Sequence, residues 1–230
     1  MKSLSILFLV SIAINCVAQD VHFSQFKISS FLLNPALVGS QNSDYKAILQ
    51  RKSQWESVSV PFNTFSLSLE SKEILSSHSA GIQFLHDIAG DSRFKTTGIN
   101  LAYAKRVVVT TKNMFSFGAE LGLFQRSVMF DDLVFNDPEN LSNINFTFPD
   151  LAFGIADFYE INKKMAIESG IAFYHINKPR QSLIENDAIT LHQKINLHTA
   201  LNYAFSAKLS MQPKLLFSNQ DTDKEFLLGC

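Results

Sequence analysis

Apolar and polar residues alternate along much of this chain. Residues 62–70 read Phe-Asn-Thr-Phe-Ser-Leu-Ser-Leu-Glu, and residues 115–123 read Phe-Ser-Phe-Gly-Ala-Glu-Leu-Gly-Leu. Residues 195–205 alternate in the same way. Because successive side chains of a strand point to opposite faces, a period of two predicts strands with one apolar and one polar face. Ten strands are predicted, near residues 44–54, 61–70, 79–86, 94–106, 113–125, 148–159, 164–174, 193–206, 208–217 and 224–230.

The N-terminus departs from this pattern with a run, Leu4–Ile14, that is apolar except for Ser5 and Ser11. The run follows Lys2 and precedes Cys16-Val17-Ala18, which approximates a small-x-small cleavage site. It is too short to span a bilayer, so residues 1–18 are predicted to be a cleaved signal peptide. An uncleaved anchor and a lipoprotein attached through Cys16 are the alternatives.

Export combined with alternating strands predicts an all-β fold, an antiparallel outer-membrane β-barrel. Residues 126–147 and 175–192 are long polar connections, whereas residues 160–164 and 206–208 are tight turns. Long outer loops that alternate with short periplasmic turns are typical of such barrels. The connection at 71–78 is of middle length, where a short turn is expected.

The barrel is predicted to occupy residues 44–230, after an N-terminal segment at 19–43. Residues 225–230 resemble the opening of a strand, so the barrel is expected to be incomplete in this chain. A soluble, exported β-sandwich that binds other molecules is an alternative, because its strands would alternate as well.

Composition narrows the function classes. The formal net charge of −1 over 230 residues comes without a basic stripe, so no nucleic-acid partner is expected. Cys16 and Cys230 are the only cysteines, and the first lies in the predicted signal peptide. The mature chain therefore has no disulfide framework.

The polar faces of the predicted strands are rich in Gly, Ala, Ser and Asn. Small side chains suit a lumen that is tightly lined or occupied by another segment. Glu120, Glu168 and His198 are the ionisable candidates for this lumen; the alternative is that they carry no special function.

No catalytic, metal or cofactor site is predicted. The six histidines lack zinc-binding spacing, and neither a Gly-x-Ser-x-Gly element nor a phosphate-binding glycine loop is found. Asp131, Asp132 and Asp137 could bind Ca²⁺ in a long loop, but a solvated polar loop is the preferred interpretation.

Several short elements occur in order. Residues 19–26 read Gln-Asp-Val-His-Phe-Ser-Gln-Phe, and residues 33–39 read Leu-Asn-Pro-Ala-Leu-Val-Gly. Further elements follow at Arg51–Trp55 (Arg-Lys-Ser-Gln-Trp), Pro61–Ser66 (Pro-Phe-Asn-Thr-Phe-Ser), Phe148–Gly154 (Phe-Pro-Asp-Leu-Ala-Phe-Gly) and Tyr174–Pro179 (Tyr-His-Ile-Asn-Lys-Pro).

This ordered set resembles the PorP/SprF family of type IX secretion system membrane proteins, over nearly the whole mature chain. The positions that carry the resemblance most directly are His22, Phe23, Ser24, Gln25, Phe26, Asn34, Pro35, Ala36, Gly39, Trp55, Pro149, Asp150, His175 and Pro179.

Some of these positions also have a local physical interpretation. Asn34 can cap a helical turn that has Pro35 at its first position, and Gly39 can end it. The segment at 19–43 is then partly helical and packs in or under the barrel; an ordinary periplasmic leader is the alternative. Trp55 is expected to be an interfacial anchor at a strand end.

The resemblance implies a non-enzymatic component of the bacterial outer membrane. Its implied role is secretion or surface attachment of specific cargo, such as adhesins and gliding-motility proteins with C-terminal sorting domains. The implied partners are outer-membrane lipid, periplasmic type IX components and that cargo. An outer-membrane channel or transporter for small solutes is the alternative function.

Overall fold

The computed structural model describes residues 20, 23, 25–26, 28–57, 60–89, 94–129, 143–181, 189–206 and 209–230. The predicted signal peptide, the motif positions His22 and Ser24, and the three loop aspartates considered for Ca²⁺ lie outside the described residues. Among the described residues, no helix is long and apolar enough to cross a membrane.

The described residues form one antiparallel sheet of eleven strands. The strands are β1 (Tyr45–Gln54), β2 (Phe62–Leu75), β3 (His78–Ala89), β4 (Phe94–Thr110), β5 (Asn113–Val128), β6 (Ile144–Asn162), β7 (Met165–Tyr174), β8 (Lys194–Ala204), β9 (Ser210–Met211), β10 (Lys214–Gln220) and β11 (Asp223–Gly229). Neighbours in sequence pair in space, except that β10 pairs with β8 beside the short β9. Within the described part of the chain, β1 and β11 each pair on one side, so the sheet is not closed between them.

Two connections differ from the predictions. The predicted strand at 208–217 is split into β9 and β10 around Gln212-Pro213. Proline has no N–H to donate to β8, although its carbonyl still accepts from the Leu201 N–H at 3.0 Å. The connection predicted at 71–78 shortens to the two-residue turn Ser76-Ser77, because β2 continues through a bulge after Ser71. The short turn removes the irregularity in the predicted alternation of loops and turns.

The sheet therefore has two different ends. At one, here called the turn end, the connections are 76–77, 111–112, 163–164 and 205–209. At the other, the loop end, they are 55–61, 90–93, 129–143, 175–193 and 221–222. The longest connections thus lie together at the loop end, as expected for the outer loops of a membrane barrel.

The sheet exposes its apolar face and buries its polar face, which is the reverse of the arrangement in a water-soluble protein. In β2, Leu67 and Leu69 are 40% and 50% exposed, whereas Ser66 and Ser68 are 2% exposed. We call the buried face the inner face and the apolar, exposed face the outer face. All described strands belong to one sheet, so no second sheet covers the outer face and the β-sandwich interpretation is not supported. An exposed apolar face with a polar interior is the pattern of a lipid-facing barrel.

An arginine on the outer face should destabilise the fold according to its depth. Leu121 lies mid-strand and pairs with Leu101 and Leu151, whereas Val107 lies on the same face closer to the turn end, where it pairs with Phe115 and is 40% exposed. We expect Leu121→Arg to lower the free energy of unfolding in lipid vesicles by about 2–4 kcal/mol and Val107→Arg by about 0–1 kcal/mol. If urea titration shows the same decrease in the free energy of unfolding for both arginine variants, the outer face does not contact lipid.

Candidate functional site

Residues 28–40, here called the inner segment, lie against the inner face of the sheet. The segment contains the helical turn α1 (Ser30–Leu33) and a 3₁₀ turn (Pro35–Leu37). Phe31 and Asn34 are completely buried. Because the segment has no strand partner, its backbone groups must be satisfied by side chains of the sheet or by its own turns.

The inner segment runs between the two ends of the sheet. Before it, Asp20 lies at the loop end, where its N–H is 3.4 Å from the Gln220 side-chain oxygen. After its turns, the Gly39 N–H donates to Glu70, which lies just beyond the middle of β2 towards the turn end. The chain then enters β1 at Tyr45 from the turn end. The first described residues of the chain therefore lie nearer the loop end than the residues that lead into the sheet.

Asn34 joins the segment to three strands. Its side-chain oxygen accepts from the Ala36 N–H at 2.9 Å, which caps the 3₁₀ turn. Its amide nitrogen lies 3.0 Å from the Ile155 carbonyl on β6 and 3.3 Å from the Ile171 carbonyl on β7. It also lies 3.0 Å from Nε2 of His198 on β8. One side chain thus shapes the segment and fixes its position on the sheet.

His198 lies between Asn34 and Glu168. Its Nε2 is near the Asn34 amide nitrogen, and its Nδ1 lies 4.0 Å from the Glu168 carboxylate. Two of the three predicted lumen candidates are therefore neighbours below the segment, whereas Glu120 lies elsewhere on the inner face.

Glycines on β5, β6 and β7 make room for the 3₁₀ turn. A Cβ at Gly118 would overlap the backbone of Pro35 and Ala36. A Cβ at Gly154 would overlap the Asn34 side-chain oxygen. At Gly170 it would lie 2.7 Å from the Asn34 amide nitrogen, closer than real side chains approach. The glycines thus permit a contact between the segment and the sheet that any larger residue would block.

Polar inner-face side chains complete the hydrogen bonding of the segment. The Ser116 hydroxyl donates to the Ala36 carbonyl at 2.7 Å. The Asn196 amide nitrogen is 3.1 Å from the carbonyls of both Leu32 and Leu33. The predictions did not single out these side chains, although the abundance of small polar residues on this face had indicated an occupied lumen.

Glu70 also holds the inner segment, and the sequence-based predictions did not identify it. Its Oε2 accepts from the Ser30 hydroxyl and from the Gly39 N–H, both at 3.1 Å. Its Oε1 lies 3.4 Å from Nζ of Lys46, which also donates to the Ile28 carbonyl at 3.0 Å. Lys46, on the neighbouring strand β1, compensates the buried charge of Glu70, and the alternation within β2 gives no signal of that partner.

At the loop end, His175 lies between two aspartates. Its Nε2 is 2.6 Å from Asp20 and its Nδ1 is 2.8 Å from Asp150. Both ring nitrogens therefore donate, which requires the charged imidazolium. A ring with both nitrogens engaged this way cannot accept a further proton, so the group does not act as a general base. It ties residue 20 to β6 and to the start of the connection after β7.

The pKa values of this group follow from those contacts. Burial alone would lower the pKa of His175, but the hydrogen bonds and charges of Asp150 and Asp20 raise it to about 9. Burial alone would raise the pKa of Asp20, but His175 and Lys194 lower it to about 2. The two shifts are opposite because each partner stabilises the charged form of the other.

The remaining motif positions are structural neighbours of these groups. Phe26 packs beside the cluster of Leu33 and Leu37, and Phe23 is buried. The backbone carbonyl of Gln25 accepts from the Ile28 N–H at 3.2 Å, just before the inner segment.

Three further motif positions lie at the loop end. The Pro149 carbonyl accepts from the Asn177 side chain at 2.8 Å, and the Pro179 carbonyl accepts from the Leu191 N–H at 2.9 Å. Trp55 is 65% exposed with a φ of 67°, and its ring centroid lies 6.2 Å from that of Phe62.

Among the described residues, no three His, Cys, Asp or Glu side chains are placed to hold a metal ion.

Comparison with known families gives one match. The model of the family described as "Type IX secretion system membrane protein PorP/SprF" matches residues 15–229, nearly the whole chain. No curated protein matches the sequence.

Substituting Gly154 with alanine should loosen the inner segment. The new Cβ would overlap the Asn34 side chain, so we expect amide hydrogen exchange across residues 34–39 to become at least about tenfold faster. Gly229→Ala is the matched control, because its Cβ would only touch the Phe26 ring at 3.5 Å. Unchanged exchange in the Gly154 variant would contradict the close packing described above.

The His175 group should make stability depend on pH in two directions. His175 binds its proton more tightly when folded, so its contribution is complete below its ordinary pKa of 6.5 and is lost as the pH rises through about 9. The contribution of Asp20 is complete above its ordinary pKa of 3.8 and is lost as the pH falls through about 2. The group therefore stabilises the fold most between about pH 4 and pH 6.5.

Urea unfolding of the wild type and of His175→Gln at about pH 5, pH 7.5 and pH 9.5 checks this prediction. For one titrating group, the free energy of unfolding should change by at most about 1.4 kcal/mol per pH unit. The stability difference between the two proteins should shrink towards the highest pH. His192→Gln is the control, because that imidazole is 60% exposed at the same end of the sheet. A difference that stays constant with pH would be inconsistent with the charged imidazolium.

Proposed function

Because this chain belongs to the PorP/SprF family of type IX secretion system membrane proteins, we propose that it serves as a docking subunit for specific cargo and not as the cargo's conduit. The protein is a component of that system in the bacterial outer membrane, with the outer face of its sheet against lipid. The proposed cargo consists of adhesins or gliding-motility proteins that carry C-terminal sorting domains. Its role is to support their secretion or their attachment to the surface.

The occupied inner face is the observation that carries this proposal. The inner segment lies along the route that a conducted molecule would take between the loop end and the turn end. Phe31, Leu33 and Asn34 in the segment are at most 2% exposed. The close contacts of the Asn34 amide nitrogen with β6, β7 and β8 hold the segment in that position. A passing polypeptide would have to displace these contacts together, and the same obstacle weighs against a channel for small solutes.

The two ends of the sheet suit different partners. In the proposed orientation the turn end faces the periplasm, and its turns present the exposed cations Lys112, Lys163 and Lys164. Exposed charges at a rim favour fast, selective encounter with an acidic partner surface. We propose that periplasmic components of the secretion machinery bind there. The longer connections of the loop end would then face the cargo at the cell surface.

A reversible cross-link can separate docking from conduction. Ser116 and Ala36 contact each other through a 2.7 Å hydrogen bond. The variant Ala36→Cys/Ser116→Cys, with Cys230→Ser to remove the free thiol, should form a disulfide that locks the inner segment onto β5. We expect the set of secreted and surface-bound proteins, measured by mass spectrometry, to be the same with the disulfide oxidised or reduced.

Deletion of the gene is the companion measurement. It should remove particular large proteins from the medium or the surface, whereas cells with only one of the two cysteines should match the wild type. An unchanged set of exported proteins after deletion would overturn the role in secretion. Export that stops on oxidation and resumes on reduction would instead identify the barrel as the conduit.

A further inference from the structure

A cavity of about 410 Å³ lies on the inner face at the loop end, bounded on one side by Phe31 and Leu32 of the inner segment. Side chains from β2 to β8 supply the other walls. Its size is within the usual range of small-molecule sites. Neither Asn34 nor Glu70, the residues that hold the inner segment, lines this cavity.

Much of the cavity wall is aromatic. Phe62, Phe94, Phe124 and Phe148 line it together with Phe31. The rings of Phe124 and Phe148 stack with centroids 5.7 Å apart. Such a wall suits the apolar body of a ligand, since each buried ring face contributes dispersion and hydrophobic contact.

The guanidinium of Arg126 is fixed within that wall. It lies 5.1 Å from the centroid of the Phe94 ring and 5.5 Å from that of Phe148. Its Nε donates to the Thr96 hydroxyl at 3.2 Å, and it also donates to the Gln181 side chain. Arg126 is thus engaged by its neighbours and does not by itself call for an anionic ligand.

Four buried polar atoms of the cavity lining have no hydrogen-bond partner among the described residues. One is a donor, Nε2 of Gln181, whose side-chain oxygen accepts from Arg126. The other three can accept: Oδ1 of Asn100, Oε2 of Glu120 and the hydroxyl of Tyr174. Asn100, Glu120 and Tyr174 are only 4%, 8% and 7% exposed. Leaving a buried polar atom unpaired costs about 1–3 kcal/mol, so three around one cavity are a strong sign of a missing partner.

The register of the sheet places these atoms on one stretch of the inner face. Glu120 on β5 pairs with Ala152 on β6, and Ala152 packs in one cluster with Tyr174 on β7. Asn100 on β4 pairs with Gly122, the next inner-face residue after Glu120, and its Oδ1 lies close to where a Cβ of Gly122 would be. The backbones of Asn100 and Tyr174 are three strands and about 14 Å apart, and the small residues at 122 and 152 lie between them. The three side chains therefore border one space from different sides.

The chemistry of the three atoms selects a donor. An amide oxygen and a carboxylate oxygen only accept hydrogen bonds, and the Tyr174 hydroxyl can accept one as well. A primary ammonium offers three N–H donors and a positive charge for Glu120. The aspartates near His175 are already paired with it, and Asp87 accepts from the Thr64 hydroxyl at 2.6 Å.

We propose that this cavity binds a small primary amine with an aromatic or branched aliphatic body. The ammonium donates to Asn100, Glu120 and Tyr174, and the body packs among the phenylalanines. The site lies at the loop end of the sheet. This binding site is additional to the proposed docking role and does not depend on it.

The full chain, folded in detergent micelles, can be titrated with 2-phenylethylamine by calorimetry. We expect saturable binding that Glu120→Gln weakens at least about tenfold and Tyr174→Phe about three- to tenfold, since each removes one partner of the ammonium. The matched control is Glu168→Gln, another buried carboxylate of the inner face, which lies outside the cavity. It should leave the affinity unchanged.

Two comparison ligands test the head group. Phenylacetate has a similar body with a negative charge and should not bind, whereas 2-phenylethanol should bind more weakly than the amine. Heat-modified migration on gels reports whether each variant is folded. If Glu120→Gln does not fold, the Tyr174→Phe titration and the two comparison ligands still test whether the cavity binds the ammonium group. Absence of amine binding, equal binding of phenylacetate, or an equal loss in the Glu168 variant would each overturn the proposal.

Discussion

The packing of one short segment against the polar side of a sheet is the constraint on which this structure depends. A sheet that exposes its apolar side chains cannot use them to build a core, so its interior must be held together by hydrogen bonds and close contact. The Asn34 side chain meets this requirement by capping its own turn and by donating to carbonyl oxygens on two strands. If that side chain were lost, the buried Ala36 N–H would lose its acceptor, and the segment would lose its contact with the two strand carbonyls.

The same constraint explains the composition of the inner face. Gly118 and Gly154 are required because the 3₁₀ turn lies directly on the strands. The polar residues around them follow the carbonyls and N–H groups of the segment, as Ser116 and Asn196 show. Contacts with charged side chains hold the N-terminal region at both ends. Gly39 donates to Glu70 beyond the middle of β2, and Asp20 pairs with His175 at the loop end. Small residues in such an interior are evidence of an occupant and not of an empty pore.

The inner segment lies between the two ends of the sheet, which supports the proposed role of docking at two surfaces of the membrane. The cavity beside Glu120 lies at the loop end and is bounded by the inner segment. A ligand bound there would contact the inner segment through Phe31 and Leu32, so occupancy and segment position would be energetically linked.

The sequence alone was enough to predict the fold class, the outer-membrane location and the family, because a period of two and a set of ordered elements are local signals. It placed Asn34 and Pro35 at a helical turn for the same reason. The tertiary structure alone determined which strands meet that turn, why Gly154 lacks a side chain, and which carboxylates face His175. It also divided the strand near Pro213 and shortened the turn at Ser76. These features depend on strand register and on residues more than a hundred positions apart, and neither is encoded in the local alternation of side chains.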